Sequence, residues 1–229
     1  MILEVILLVI IFIITIFAVV NKKSFVADKI INNLSVAPPS QDEVLDSLLE
    51  IAGRYYAEKN LLAAEKAYLK VLRVDHKNSL AYSRLGFIYS SLGNNEDAIE
   101  CFKIVADTYP NAASYHNLAM MYFKTREFEM SAKALEKSLN MEMKVSRLVS
   151  LARIYRILNK FDLQVETLEK ANGLEPENTE IMVLLADAYL HEKKEKEAKL
   201  LFKKVLKLEP NNPRARAAMQ PPQQLKKVR

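Results

Sequence analysis

Catalysis or metal binding in this chain would have to rest on three histidines, His76, His116 and His191, on one cysteine, Cys101, and on carboxylates placed near them. A zinc site needs ligands at short paired spacings, and a nucleophilic thiol needs a base held beside it. No two of the histidines stand at such a spacing, and no carboxylate is placed as a third ligand. The lone cysteine excludes an intramolecular disulfide and a cysteine-rich metal site. Beside Phe102 it reads as a small packing residue or a mildly exposed thiol. Gly53, Gly86, Gly93 and Gly173 never cluster, so neither glycine-rich phosphate cradle can be built. The run His191-Glu192-Lys193-Lys194-Glu195-Lys196-Glu197 mixes charges as a solvated helix end does. No enzyme, cofactor or metal centre is expected.

The elements that would carry any function are legible from hydropathy. Of 229 residues, 33 are basic and 28 acidic, a formal charge of +5. From Ile2 to Val20 the chain is apolar apart from Glu4. As a helix this run would reach about 28 Å, close to the hydrocarbon thickness of a bilayer. No Lys or Arg precedes it and Phe17-Ala18-Val19-Val20-Asn21 is a poor cleavage site, which favours an uncleaved anchor over a signal peptide. Lys22, Lys23 and Lys29 all follow the run, placing the N-terminus outside and the remainder in the cytoplasm. Phe25, Val26, Ile30, Ile31 and Leu34 could form a short juxtamembrane helix before Pro38-Pro39. Ser40-Gln41-Asp42-Glu43 then reads as a capping box opening the next helix.

Beyond the connector the chain repeats. Tyr55, Tyr89, Tyr122, Tyr155 and Tyr189 are 34, 33, 33 and 34 residues apart. Four residues before each stands Ile51, Leu85, Leu118, Leu151 or Leu185, followed at once by Ala52, Gly86, Ala119, Ala152 or Ala186. Seven before each tyrosine is Leu48, Tyr82, Tyr115, Leu148 or Met182, so these columns share one helical face. A second helix follows, marked by Ala64, Ala98, Ser131, Gln164 or Ala198 and, four later, by Tyr68, Phe102, Leu135, Leu168 or Phe202. Pro110, Pro176 and Pro210 break the chain after three of these helices, and Asn78, Asn178 and Asn212 are placed to cap the next.

The pattern resembles the tetratricopeptide repeat, W-x₂-L-G-x₂-Y…A-x₃-F…P over 34 residues, and covers about Leu45 to Asn212. The resemblance implies an all-α fold: a right-handed α-solenoid of five helix pairs, 45–78, 79–111, 112–144, 145–178 and 179–212. It would follow an anchor over 1–21 and a linker over 22–44, and end in a capping helix and basic tail over 213–229. Ser131 and Gln164 depart from the usual alanine, and His76 and Met143 from the usual proline. Most Tyr and Phe are consumed by the packing columns, so nucleic acid is not an expected partner. The basic residues Arg214, Arg216, Lys226, Lys227 and Arg229 read as a solvated tail.

In proteins of this family the first helices line a groove for a peptide or helix. The residues that the resemblance places there include Arg84, Phe87, His116, Asn117, Met120, Phe123, Arg153 and Arg156, a mixture of cations and apolar groups suited to a ligand with carboxylates beside apolar anchors. The carboxylate clamp of chaperone-tail receptors is matched only by Asn117, since Ser83, Phe87, Ser146 and Ser150 differ from its other members. The expectation is a protein of the inner membrane that recruits a peptide or protein partner. The alternative is a self-associating spacer without a dedicated ligand.

Overall fold

The computed structural model describes residues 40–220. The expected anchor, the linker up to Pro39 and the end of the tail from Pro221 lie outside the described residues. Among the described residues every regular element is helical, and no helix is long and apolar enough to cross a membrane. The helices are α1 (Gln41–Ala57), α2 (Leu61–Val74), α3 (Ser79–Leu92), α4 (Asn95–Thr108), α5 (Ala112–Lys124), α6 (Phe128–Met141), α7 (Val145–Ile157), α8 (Phe161–Leu174), α9 (Thr179–His191), α10 (Glu195–Leu208) and α11 (Pro213–Met219). Extensive packing runs between helices adjacent in the chain, pair after pair, which is the arrangement of an α-solenoid.

Each first helix ends in the same way. Lys59, Gly93, Arg126, Asn159 and Lys193 take left-handed backbone angles, φ 59°, 86°, 66°, 56° and 60°. The next residue in each unit donates its N–H to the carbonyl of the repeated tyrosine: Asn60 to Tyr55, Asn94 to Tyr89, Glu127 to Tyr122, Lys160 to Tyr155 and Lys194 to Tyr189, at 2.8–3.0 Å. These are Schellman-type closures, and only one of the five uses the glycine that normally makes them cheap. The tyrosine column therefore contributes backbone as well as side chain to each turn. The new helices start from side-chain caps: Asn78 accepts from Ala81 N–H, Asn111 from Ala113 and Ser114, Asn178 from Glu180 and Ile181, and Asn212 from Ala215. Ser40 forms the anticipated capping box with Glu43, so α1 begins at Gln41, four residues ahead of the repeat boundary read at Leu45.

The columns form the core. Ala52, Ala64, Ala98, Ala119, Ala186 and Ala198 are fully buried, and Tyr68, Phe102, Leu135, Leu168 and Phe202 are at most 2% exposed. Where Ser131 replaces alanine, its hydroxyl donates to the Ala119 carbonyl at 2.7 Å, and Ser138 does the same to Ala112 at 2.6 Å. Two buried serines thus tie α6 to α5. Gln164 is less well served: it is 4% exposed and its Oε1 has no hydrogen-bond partner. An unsatisfied buried carbonyl costs on the order of 1–3 kcal/mol, whereas an apolar side chain of similar volume costs nothing in hydrogen bonding. Gln164→Met is therefore expected to raise stability by about 1 kcal/mol, read as a higher urea midpoint; an unchanged or lower midpoint would count against this assignment.

Candidate functional site

The side chains left over from the packing columns on α3, α5, α7 and α9 share one surface, and most of its polar groups are taken up between units. The Arg84 guanidinium lies over the Tyr56 ring, 4.9 Å from its centroid. Lys124 Nζ donates to the carbonyl and hydroxyl of Ser90. Arg153 pairs with Glu180 at 3.2 Å, and Arg214 on α11 grips Asp187 through two nitrogens. These clasps join units one to two, two to three, four to five, and five to the capping helix. Among the described residues no such polar contact joins α5 to α7.

At that junction the surface is apolar instead. Met120 and Phe123 are 45% and 39% exposed. With Leu135, Ser150, Arg153 and Ile154 they line a cavity of about 110 Å³. It opens beside a shallower hollow of about 410 Å³ that runs past Val145, Ser146 and Val149 to Asn178, Glu180 and Ile181. Ser150 and Arg153 belong to both. Local sequence explains the opening: Ser146 and Ser150, one turn apart on α7, are small where α5 offers the large Met120 and Phe123. Phe123 is steadied from behind by an edge-on contact with Phe128, ring centroids 5.6 Å apart. Arg153 and Glu180 are both exposed, which makes theirs a weak pair.

Of the eight groove residues expected from sequence, the structure gathers Met120, Phe123 and Arg153 around the cavity. Arg156 is exposed one turn further along α7. Arg84 is spent on Tyr56, and Phe87, 38% exposed, leans edge-on against Phe102 with centroids 5.0 Å apart. His116 and Asn117 are half-buried. Burial, then Arg147 and Lys144, holds the His116 imidazole below its usual range, so it is neutral at pH 7. Val145, Val149 and Ile181 complete the hollow; the small-residue pair Ser146 and Ser150 was the sequence signal for it. Arg214 and Arg216, read as tail charges, are instead structural: Arg216 donates to the Pro210 carbonyl and to Asn211.

The remaining titratable groups of note lie away from the groove. Burial, with Asp97 and Glu100 nearby, pushes the Cys101 thiol up to about 11, the reverse of an activated nucleophile. A wider hollow, about 650 Å³, lies at the turns of units four and five, where Glu192 is held by Lys194 and His191 stacks on Phe161. Among the described residues no three of His, Cys, Asp and Glu are placed to hold a metal ion.

Models of the tetratricopeptide repeat match residues 67–100, 111–141, 145–178 and 165–220. A comparison with curated protein sequences finds no match. Among solved structures, the MamA protein superposes with a TM-score of 0.66 at 24% identity, over 74% of this chain and 93% of that one. YrrB, described as a TPR protein with an unusual peptide-binding site, gives 0.64 at 13% identity over 79% and 97%. PilF of Pseudomonas aeruginosa gives 0.58 at 17% identity over 78% and 82%.

Proposed function

Because this chain belongs to the tetratricopeptide repeat family, we propose that it is a membrane-anchored scaffold that holds a peptide or protein partner on its first-helix face. The observation that carries the reading is the contact of α5 with α7, where exposed Met120 and Phe123 stand in place of the polar clasps found between the neighbouring first helices. An apolar side chain of the partner fits the 110 Å³ cavity, and a carboxylate beside it meets Arg153, with Arg156 exposed one turn further along α7. Desolvated aromatic, methionine and arginine groups at the centre of a patch are the kind that dominate binding energy. YrrB, of the same fold, is described with a peptide-binding site. The anchor reading rests on the apolar run Ile2–Val20 and the three lysines after it, which put the repeats on the cytoplasmic side of an inner membrane.

A photo-crosslinking probe in place of Phe123, used in intact cells, tests this. It should capture a discrete partner, and Met120→Glu or the pair Arg153→Glu and Arg156→Glu should cut capture at least tenfold, about 1.4 kcal/mol of binding. Equal capture from a probe at Lys170, on the outer second-helix surface, would overturn the assignment. The spacer alternative makes a different demand: the captured partner would be a second copy of this chain.

A further inference from the structure

Charge is spread unevenly along the outer, second-helix surface. Helices α4 and α8 carry more acidic than basic residues, α6 carries two of each, and α2 carries Lys66, Lys70 and Arg73 against Glu65. The largest basic excess is on α10, five lysines against Glu195 and Glu197. Both glutamates stand in its first turn, where the helix dipole favours them, and from Lys199 to Leu208 every charged residue is a lysine. Of the chain's 33 basic and 28 acidic residues, nine and one fall after Ala198, so everything before it is net acidic. The sign of the whole protein's charge is set at this end.

The lysines share their face with leucines. Leu200, Lys203, Lys204, Lys207 and Leu208 fall at offsets of three, four, seven and eight, on one side of α10. The other side, with Phe202 and Val205, is buried and belongs to the cluster that α11 overlies. Leu200 and Leu208 are 59% and 50% exposed. Lys199 is held by Glu195 at 3.5 Å, while Lys196, Lys203, Lys204 and Lys207 make no ion pair among the described residues. A face of this kind pairs long apolar stems, able to carry their ammonium groups outward, with aliphatic groups that have no reason to meet water.

We propose that this face of α10 lies flat on a bilayer surface rich in anionic phospholipid, with its lysines among the phosphates and Leu200 and Leu208 at the acyl boundary. The two leucines stand about 12 Å apart along the helix, and a fluid bilayer takes both at once, whereas a protein partner needs a matching pocket for each. Single-stranded nucleic acid is held by stacking on aromatic rings, and the aromatic of α10, Phe202, is 1% exposed. The proposal rests on α10 alone, and neither on the groove nor on the apolar run Ile2–Val20.

The test uses the full chain with Cys101→Ala and Leu200→Cys, labelled at residue 200 with an environment-sensitive fluorophore. It is reconstituted into vesicles of phosphatidylcholine alone or of an equimolar mixture with phosphatidylglycerol. Both kinds offer Ile2–Val20 the same hydrocarbon, so a difference between them reports on α10. The label should brighten at least threefold in the mixed vesicles only, and Lys203→Glu, Lys204→Glu and Lys207→Glu together should abolish the gain. Salt at roughly 1 M, where screening acts within about 3 Å, should abolish it too. The same label at Met130→Cys, 42% exposed on the balanced α6, should not respond. Equal emission in the two kinds of vesicle, an equal response at residue 130, or a gain that survives the charge reversal would overturn the proposal. So would a response to single-stranded RNA or to polyglutamate in place of the vesicles, which would assign the face to nucleic acid or to an acidic protein.

Discussion

Phe102→Ala should cost about 3–5 kcal/mol of folding stability, the range for deleting a fully buried phenylalanine. The side chain is 1% exposed, and its ring lies where a Cβ on Gly86 would stand, 2.8–3.0 Å from that position. Phe87 closes over it edge-on. Gly86 is thus the partner of this ring: removing the ring leaves a hole that the backbone of α3 cannot close. Phe102 also shares a cluster with Leu118 and Tyr122 of the next unit, so the loss reaches across a junction. Urea denaturation should show a lowered midpoint, with unfolding of the first two units separating from the rest, because a linear array keeps its cooperativity only through its junctions. A loss under about 1 kcal/mol would mean that the site collapses around the gap, which the backbone contact at Gly86 argues against.

Ending the chain after Asn211 should cost about 2–4 kcal/mol by the area α11 covers, and should raise self-association above that of the full chain. That helix lays Ala215, Ala218 and Met219 over the cluster containing Phe202 and Val205. Its Arg214 sits 5.7 Å from the Phe202 ring centroid while holding Asp187. Terminal units of a solenoid need such a cover because their outer face is otherwise a cut core. Circular dichroism melting gives the first number and light scattering the second; a truncated chain that melts and scatters like the full one would remove the capping role.

The fold was legible because its information is redundant. Five tyrosines at near-constant spacing, each preceded by an aliphatic and a small residue, announce paired helices with a close crossing, and the structure buries the small column and all of the aliphatic one but Ile51, with Tyr55, Tyr89 and Tyr189 half-buried at the edge of the core. The asparagine caps were readable for the same reason: their chemistry is local. What sequence concealed is which charges are free. Arg84, Lys124, Asp187 and Arg214 look available on a helical wheel, yet each is claimed by a residue about 30 positions away in the next or previous unit. Only cross-unit geometry reveals that, and it narrows the proposed binding surface from the whole first-helix face to one junction. The left-handed turns were largely hidden, since only Gly93 and Asn159 among the five carry residue types that mark them, against Lys59, Arg126 and Lys193.

The serial contact pattern described above has a mechanical meaning. Each helix leans on its chain neighbours, so a pull between the two ends would be borne by the junctions in series, like the coils of a spring. The junction between α5 and α7 lacks the polar clasp that joins the other first helices and relies on the packing of α6 against α7, with Tyr155 donating to Glu136. A guest wedged between Met120 and Arg153 would stiffen that point and, through leverage over two further units and the cap, swing the distal end by more than the wedge itself is wide.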